Sequence, residues 1–506
     1  MDTRWLDVLA EFDWAAFGIG SLTAILLAFV ATGAVPILAT AYQFLAIPFH
    51  AVKNHYGKAA PYLPRVAVVV PAWNEGLVIG ASIERLMGLE YPRECLRIYV
   101  VDDASTDDTP QVVREKAELY PGSVVHLRRA KGGEGKAHTL NHGIREILKD
   151  DWMQALLIMD ADVIYMPSSL RRMTAHLADK KVGAVTAYIR EGSHDKNYLT
   201  RFIGMEYVLS QVAARRAQNV LGALACLAGG AQLHSRENLI TIGGQIDTSS
   251  LAEDTITTFK TQLAGNRVVF EPHAIVHAEE PQLINSLWKQ RLRWARGNVQ
   301  VTSKYRRIWF RPSRKHGLGD FSFGIFWFSI FLLPVAMVLS SVGLIGLLLL
   351  QSDLAAVVFR ATWIIAACTY VYTIALAVQL DGPTGWRSAR EAVLFPGVVS
   401  IIVMVTAFFP GLLERDLPHL LGVPVSDTGD LIWTIFVYAW ISVAMLGAWL
   451  AKVVESTRFG RVLTPLLVYL VGYGPVLCAV TVDSYIKEFR HAEAKWDKTE
   501  KTGRVH

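Results

Sequence analysis

Three apolar, β-branched runs in this chain each stop on acidic or amide side chains. Val66–Ala72 leads to Asn74 and Glu75, Leu96–Val101 to Asp102 and Asp103, and Ala155–Met159 to Asp160 and Asp162. Asp160-Ala161-Asp162 sets two hard oxygen donors on one tight turn, a pairing that suits Mg²⁺ or Mn²⁺, either of which neutralises a diphosphate. Such a tripeptide arises by chance in many loops, so its place after an apolar strand is what gives it weight. Lys131-Gly-Gly-Glu-Gly-Lys136 is glycine-rich. Its glycines permit close backbone approach, and Lys136 can meet phosphate charge. No Ser or Thr follows that lysine, so the segment is not a Walker loop, and a plain surface loop is the competing reading. Glu253-Asp254 is a further acidic pair. Asp254 is a candidate base for an attacking hydroxyl, or else a helix N-terminal acid held by the dipole. Gln290-Arg-Leu-Arg293-Trp294 brings an amide, a fixed cation and a flat ring together. Arg293 can hold a developing diphosphate charge and Trp294 can stack on a sugar face, but a membrane-interface helix also favours Arg and Trp.

Strands with acids at their carboxyl ends and helices between them describe an α/β sheet, whose ligands bind beyond those ends. Helical spacing in Val78, Ile79, Ile83, Leu86 and Met87 supplies one such helix. All three acidic strand ends therefore point to one shared site.

The rest of the chain has another character. Of 506 residues, 52% are hydrophobic and 19% charged, and the apolar residues sit in blocks. Windows long enough to cross a bilayer run over 15–52, 321–352, 361–380, 392–413, 431–451 and 462–482. Pro396 and Pro410 mark 392–413 as interfacial instead. The first window is too long, and its leading residues too acidic, for a secretory signal. Four cysteines without paired spacing fit a reducing compartment. Division falls at 1–55 as an N-terminal anchor, 60–314 as a soluble domain, 318–483 as a helix bundle and 484–506 as a charged tail.

The ordered set of Asp102–Ser105, Asp160–Asp162, Glu253–Asp254 and Gln290–Trp294 resembles the processive family 2 glycosyltransferases, the synthases of cellulose, chitin, hyaluronan and poly-N-acetylglucosamine. The resemblance implies a GT-A-like α/β domain inserted between transmembrane helices. Asp103, with Asp102 beside it, would bind uracil, the turn ending in Glu75 would border the nucleotide, and Lys136 would help hold it. Asp160 and Asp162 would serve the donor and an Mg²⁺ or Mn²⁺ ion, with Asp162 the main ligand. Asp254, beside Glu253, would be the general base. Gln290, Arg293 and Trp294 would line the acceptor end and the leaving diphosphate. Cys226-Leu-Ala-Gly229-Gly230 would lie beneath the acceptor sugar, in a form that departs from the family's usual loop.

So read, the chain is a metal-dependent, inverting UDP-sugar hexosyltransferase that extends a β-linked extracellular polysaccharide and moves it across the membrane. UDP-glucose and UDP-N-acetylglucosamine both remain open as donors. Aromatic residues of the bundle (Phe326, Trp327, Trp363, Tyr370, Tyr372) either line an exit path or pack the helices. Basic residues after the first span and around 306–315 put the soluble domain in the cytosol and the chain in the cell membrane. The bilayer, the growing glycan and an accessory subunit or second copy are the expected partners, nucleic acid is not, and Trp496–Arg504 is a candidate gating segment. Two rival readings stand: a transferase that glycosylates a lipid once, as in ceramide glucosylation, and a silent binding or transport subunit.

Overall fold

The computed structural model describes residues 14–50, 59–409, 411–412, 416–422 and 427–493. Expectations for the acidic N-terminus, Lys53, Lys58, Pro410 and Trp496–Arg504 fall outside those residues.

Among the described residues one eight-stranded sheet forms the centre, in the order β3-β2-β1-β4-β7-β6-β8-β5, with β3 (Val124–Arg128) at one edge. The three acid-tipped runs are neighbours in it. β1 (Val66–Ala72) pairs in parallel with β2 (Leu96–Asp102) on one side and β4 (Ala155–Ile158) on the other. Alternate side chains of β1 enter different cores: Val66, Val68 and Val70 join one cluster, while Ala67 and Val69 join the other. Burial on both faces is why this run reads as continuously apolar. Helices α1 (Gly76–Met87) and α2 (Lys136–Ile147) return the chain between strands.

Beyond β4 the sheet turns mixed. β7 (Gln232–Ser235) is antiparallel to both β4 and β6 (Val182–Glu191), while β8 (Arg267–Ala278) runs parallel to β6 and antiparallel to β5 (Val163–Tyr165). These strands escape a pattern reading for local reasons. Pro272 interrupts β8, and the β6–β8 register shifts between Ala187 and Tyr188. Helix α3 (Ala214–Leu221) follows a π-helical turn at Val208–Ala213, α4 is Glu253–Leu263 and α5 is Ile284–Lys304.

Among the described residues, three helices are long and apolar enough to cross a membrane: Gly18–Phe49, Leu354–Leu380 and Thr428–Glu455. Two other apolar windows are not straight spans. Phe321–Phe331 and Leu333–Leu349 meet at 73°, and Gly460–Val471 and Tyr473–Phe489 meet at 96°. Pro334 opens the second helix of the first pair. At the other bend, Gly472 (φ 96°) lies backbone to backbone against Gly397 (φ 89°), where a Cβ would come within 2.5 Å of the opposite chain. That contact also breaks 392–413 into the short helices Ala389–Val393 and Val398–Thr406. The N-terminal helix packs closely on Leu333–Leu349, since Gly343 sits against the Leu26 carbonyl and Gly33 against Ser340.

The bundle aromatics have packing partners. Phe326 stacks on Tyr42, Trp327 lies against Phe259 and donates to Thr302 Oγ1 at 2.8 Å, and Trp363 tilts onto Phe359. Tyr370 donates to the Ala392 carbonyl and Tyr372 to that of Phe44.

Candidate active site

The loops after β1 and β2 interlock. Asn74 and Ala104 both adopt left-handed backbone, at φ 53° and 56°. Asn74 donates its amide to Ser105 Oγ at 3.0 Å and accepts from the Thr106 amide at 2.8 Å. Glu75 starts α1, its amide held by Thr109 Oγ1. Asp102 is fully buried inside this lattice. It accepts from the Ser105 amide at 2.8 Å and meets Arg128 Nη1 at 3.1 Å and His126 Nε2 at 3.5 Å. Burial alone would raise its carboxyl, but hydrogen bonds from His126 and Ser105 and the charge of Arg128 hold it below the usual range. Asp102 thus braces the loop beside Asp103. Asp103 faces the glycine-rich loop, ion-paired to Arg129 and accepting from the Gly133 amide at 2.9 Å. Arg129 bridges onward to Glu134. Gly132 is required here, since a Cβ would sit 2.0 Å from the Asp103 carbonyl oxygen.

Lys136 stands where the remaining acids meet. It opens α2 after Gly135, whose φ of 103° turns the chain inward. Its ammonium lies 2.5 Å from Asp160 Oδ1, 3.2 Å from the Gly229 carbonyl and 3.8 Å from Glu253 Oε1. Burial works against that charge, yet Asp160 and Glu253 outweigh it and keep the ammonium above its usual range. Glu253 is pushed up by burial, opposed by Lys136 and reinforced by Asp254. Both glycines of the 226–230 loop are tight. A Cβ on Gly229 would reach 3.2 Å from Asp254 Oδ2, and one on Gly230 would reach 3.3 Å from Asp160 Oδ2. Asp160, Lys136, Glu253 and Asp254 thus share one small volume beyond β4. Asp162 occupies the turn from β4 into β5. Among the described residues no group of three or more His, Cys, Asp or Glu is arranged to hold a metal. The two aspartates of this turn still fit a hard divalent ion that draws its other ligands from phosphate and water.

Residues 64–297 match the model of the family described as "Glycosyltransferase like family 2". The chain carries a family 2 glycosyltransferase domain. Its fold is GT-A-like: a mannosyltransferase of Pyrobaculum calidifontis, solved with GDP-Man and Mn²⁺, superposes with a TM-score of 0.52 over 77% of this chain and 99% of that one, at 24% identity. Among curated proteins, the Probable glycosyltransferase YdaM of Bacillus subtilis is 33% identical over 54% of this chain and 65% of its own length. Beta-monoglucosyldiacylglycerol synthase of Synechocystis is 31% identical over 55% of this chain and 56% of its length. Poly-beta-1,6-N-acetyl-D-glucosamine synthase of Staphylococcus aureus is 28% identical over 47% of this chain and 56% of its length. The chain spans less than two thirds of each of these relatives.

The transferase domain's remaining site residues lie on α5. Gln290 is buried, donating to Glu280 Oε2 at 3.4 Å and accepting from Arg291. Arg291 makes a fork onto Glu206, at 3.0 and 2.8 Å, and its guanidinium carbon sits 4.1 Å from the Trp294 ring centroid. Trp294 keeps 38% of its surface exposed, so one ring region is open for contact. Arg293 is near enough to Glu253 to oppose the rise of that carboxyl.

Several supporting residues escaped the sequence reading. Gln262 grips Leu224 through both its amide and its carbonyl, at 2.9 and 2.8 Å, and Thr258 holds the Leu227 amide at 2.8 Å. Both come from α4, so the helix whose first turn carries Glu253 and Asp254 also anchors the segment leading into the 226–230 loop. Glu206, Glu280 and Arg291 form the buried network under Gln290. The one signal was Arg291, lying inside a motif already singled out.

Proposed function

We propose that this chain is a processive, inverting β-glycosyltransferase of the cell membrane, with its catalytic domain in the cytosol. It uses UDP-glucose or UDP-N-acetylglucosamine to extend an extracellular polysaccharide and passes the product across the bilayer. The observation that carries this reading is the convergence of Lys136, Asp160, Glu253 and Asp254 at the end of β4. The same reading divides the chain at 1–55, 60–314, 318–483 and 484–506.

In the mechanism, Asp103 and the Glu75 turn border the nucleotide, and Lys136 and Arg293 meet the diphosphate. Asp254 takes the proton of the acceptor hydroxyl, which then displaces UDP in line from an α-linked donor and leaves a β-linkage. Asp160 and Asp162 would hold Mg²⁺ or Mn²⁺, which when bound neutralises charge on the departing diphosphate. Gln290 and Trp294 shape the acceptor wall above Gly229 and Gly230.

A second reading is favoured by a specific observation. The bundle aromatics pack against their neighbours, and one relative is named for making a glycolipid. In that reading one sugar goes to a lipid hydroxyl by the same chemistry.

The test is product analysis. Full-length protein in detergent receives each UDP-sugar with Mg²⁺ or Mn²⁺, and the product is partitioned and sized. A polymer cut by β-specific glycosidases is the expected outcome. A solvent-extractable glycoside selects the second reading, and no sugar transfer from either donor overturns both.

A further inference from the structure

Helix α5 carries Gln290, Arg293 and Trp294, so whatever fixes its position fixes the acceptor wall. Its N-cap residue is Leu283, which has no side chain able to accept a hydrogen bond, and no local cap is formed. The first turn of a helix needs acceptors for its free amides. Here both come from far away in sequence. Glu455 Oε1 accepts from the Ile284 amide at 2.7 Å, and Glu455 Oε2 accepts from the Asn285 amide at 2.6 Å. A carboxylate at this end also matches the helix dipole.

Glu455 is the last residue of α6 (Asp427–Glu455), which contains the candidate span Thr428–Glu455. The cap is therefore also a tether. The site residues lie six to ten positions further along α5, roughly 9 to 15 Å at 1.5 Å per residue. Helix backbones are stiff over such lengths, so an axial slip at Ile284 arrives undiminished at Arg293. The donor-side residues stand elsewhere: Asp103 follows β2 and bonds Arg129 and the Gly133 amide, while Lys136 on α2 bonds Asp160 and the Gly229 carbonyl.

We propose that Glu455 is a positioning residue for sugar transfer: its carboxylate locks the start of the acceptor helix to the end of a membrane-helix candidate. This rests on the transferase reading and adds the element that sets its acceptor geometry. Donor binding is held mainly by Asp103 and Lys136 and should feel Glu455 only through Arg293, whereas delivery of the sugar to an acceptor, which Gln290, Arg293 and Trp294 all shape, should feel it far more.

Three readouts on full-length protein test this: UDP affinity by calorimetry, the ratio of transferred to hydrolysed sugar from the donor active in the wild type, and the unfolding temperature. In Glu455→Ala, UDP affinity stays within about twofold while transfer falls on the order of tenfold or more, with a larger hydrolysed share. Glu455→Gln, which keeps one accepting oxygen, should fall between and serves if the alanine variant does not fold. The decisive variant adds Leu283→Asp to Glu455→Ala, which supplies a local cap without a tether. Recovered unfolding temperature with transfer still low supports the positioning role. Transfer restored together with stability overturns it, as does a Glu455→Ala protein that transfers like the wild type or loses UDP affinity in step. A wild type that moves no sugar from either donor overturns the transferase reading, and this inference falls with it.

Discussion

The donor and acceptor halves of the candidate site are built by different means. On the donor side the bonds join parts of the α/β domain: Arg129 and Gly133 hold Asp103, and Lys136 holds Asp160. On the acceptor side α5 is gripped by C-terminal helices. Glu455 caps it, Asp483 accepts from the Trp288 indole, Glu488 pairs with Arg296, and Tyr473 donates to Glu206 beside Arg291. On the proposed reading, nucleotide binding belongs mainly to the α/β domain, whereas transfer belongs to that domain assembled with its helices. Substitutions can be ranked by which half they touch.

The largest effect should come from Asp254→Asn. If Asp254 is the base, transfer falls by roughly 10² to 10⁴. UDP affinity, measured by calorimetry, should hold to within about twofold, because the carboxylate lies on α4 against Gly229 and not on the donor loops. A variant that still transfers within threefold of the wild type removes Asp254 from the chemistry. One that loses UDP binding equally erases the division between the halves.

Next comes Lys136→Met, at the point where the halves meet. It removes a charged contact to Asp160 and leaves Glu253 without its cation. A hydrogen bond to a charged group contributes roughly 1.5–3 kcal/mol, so UDP affinity should weaken about tenfold to a hundredfold. Transfer should fall at least as far. Unchanged UDP affinity would make Lys136 a structural counter-ion for the acids and not a donor ligand.

The same division governs what was legible in the chain. β1, β2 and β4 announce themselves because both of their faces are buried, and their acids follow at once in sequence. Lys136, Asp160 and Asp254 were found from residue type, and Lys136 proves to be where the acids gather. Asp102 and Asp103 are adjacent at a strand end yet meet different partners, Arg128 and Arg129, and spacing does not say which of the two turns inward. The antiparallel half stayed hidden because Pro272 and a register shift break its pattern. The windows 321–352 and 462–482 prove to be bent helix pairs for a comparable reason: composition reports that a helix is apolar, while the bend at Gly472 lies where its backbone meets Gly397, a partner remote in sequence. The ties from Glu455, Asp483 and Glu488 to α5 carry no local signature at all.

The smallest effect offers the sharpest probe of that last point. Trp288 is buried on α5, donating its indole N–H to Asp483 at 2.8 Å, with Lys452 Nζ 4.3 Å from its ring centroid. Trp288→Phe keeps an apolar ring in place but deletes the donor, so Asp483 must rely on Lys452 and water. Overpacking is avoided and little backbone should move, so destabilisation of about 1–2 kcal/mol is expected, visible as a lower unfolding temperature. UDP affinity should not change, because no donor residue touches Trp288. Transfer should fall by only about threefold, since the Glu455 cap and the Arg296–Glu488 pair still hold α5 at both ends. A loss as deep as that of Asp254→Asn would mean that this one contact governs the acceptor wall and the other ties are redundant. No loss of stability and none of transfer would mean that α5 takes its position from the sheet alone, and the contrast between the two halves would disappear.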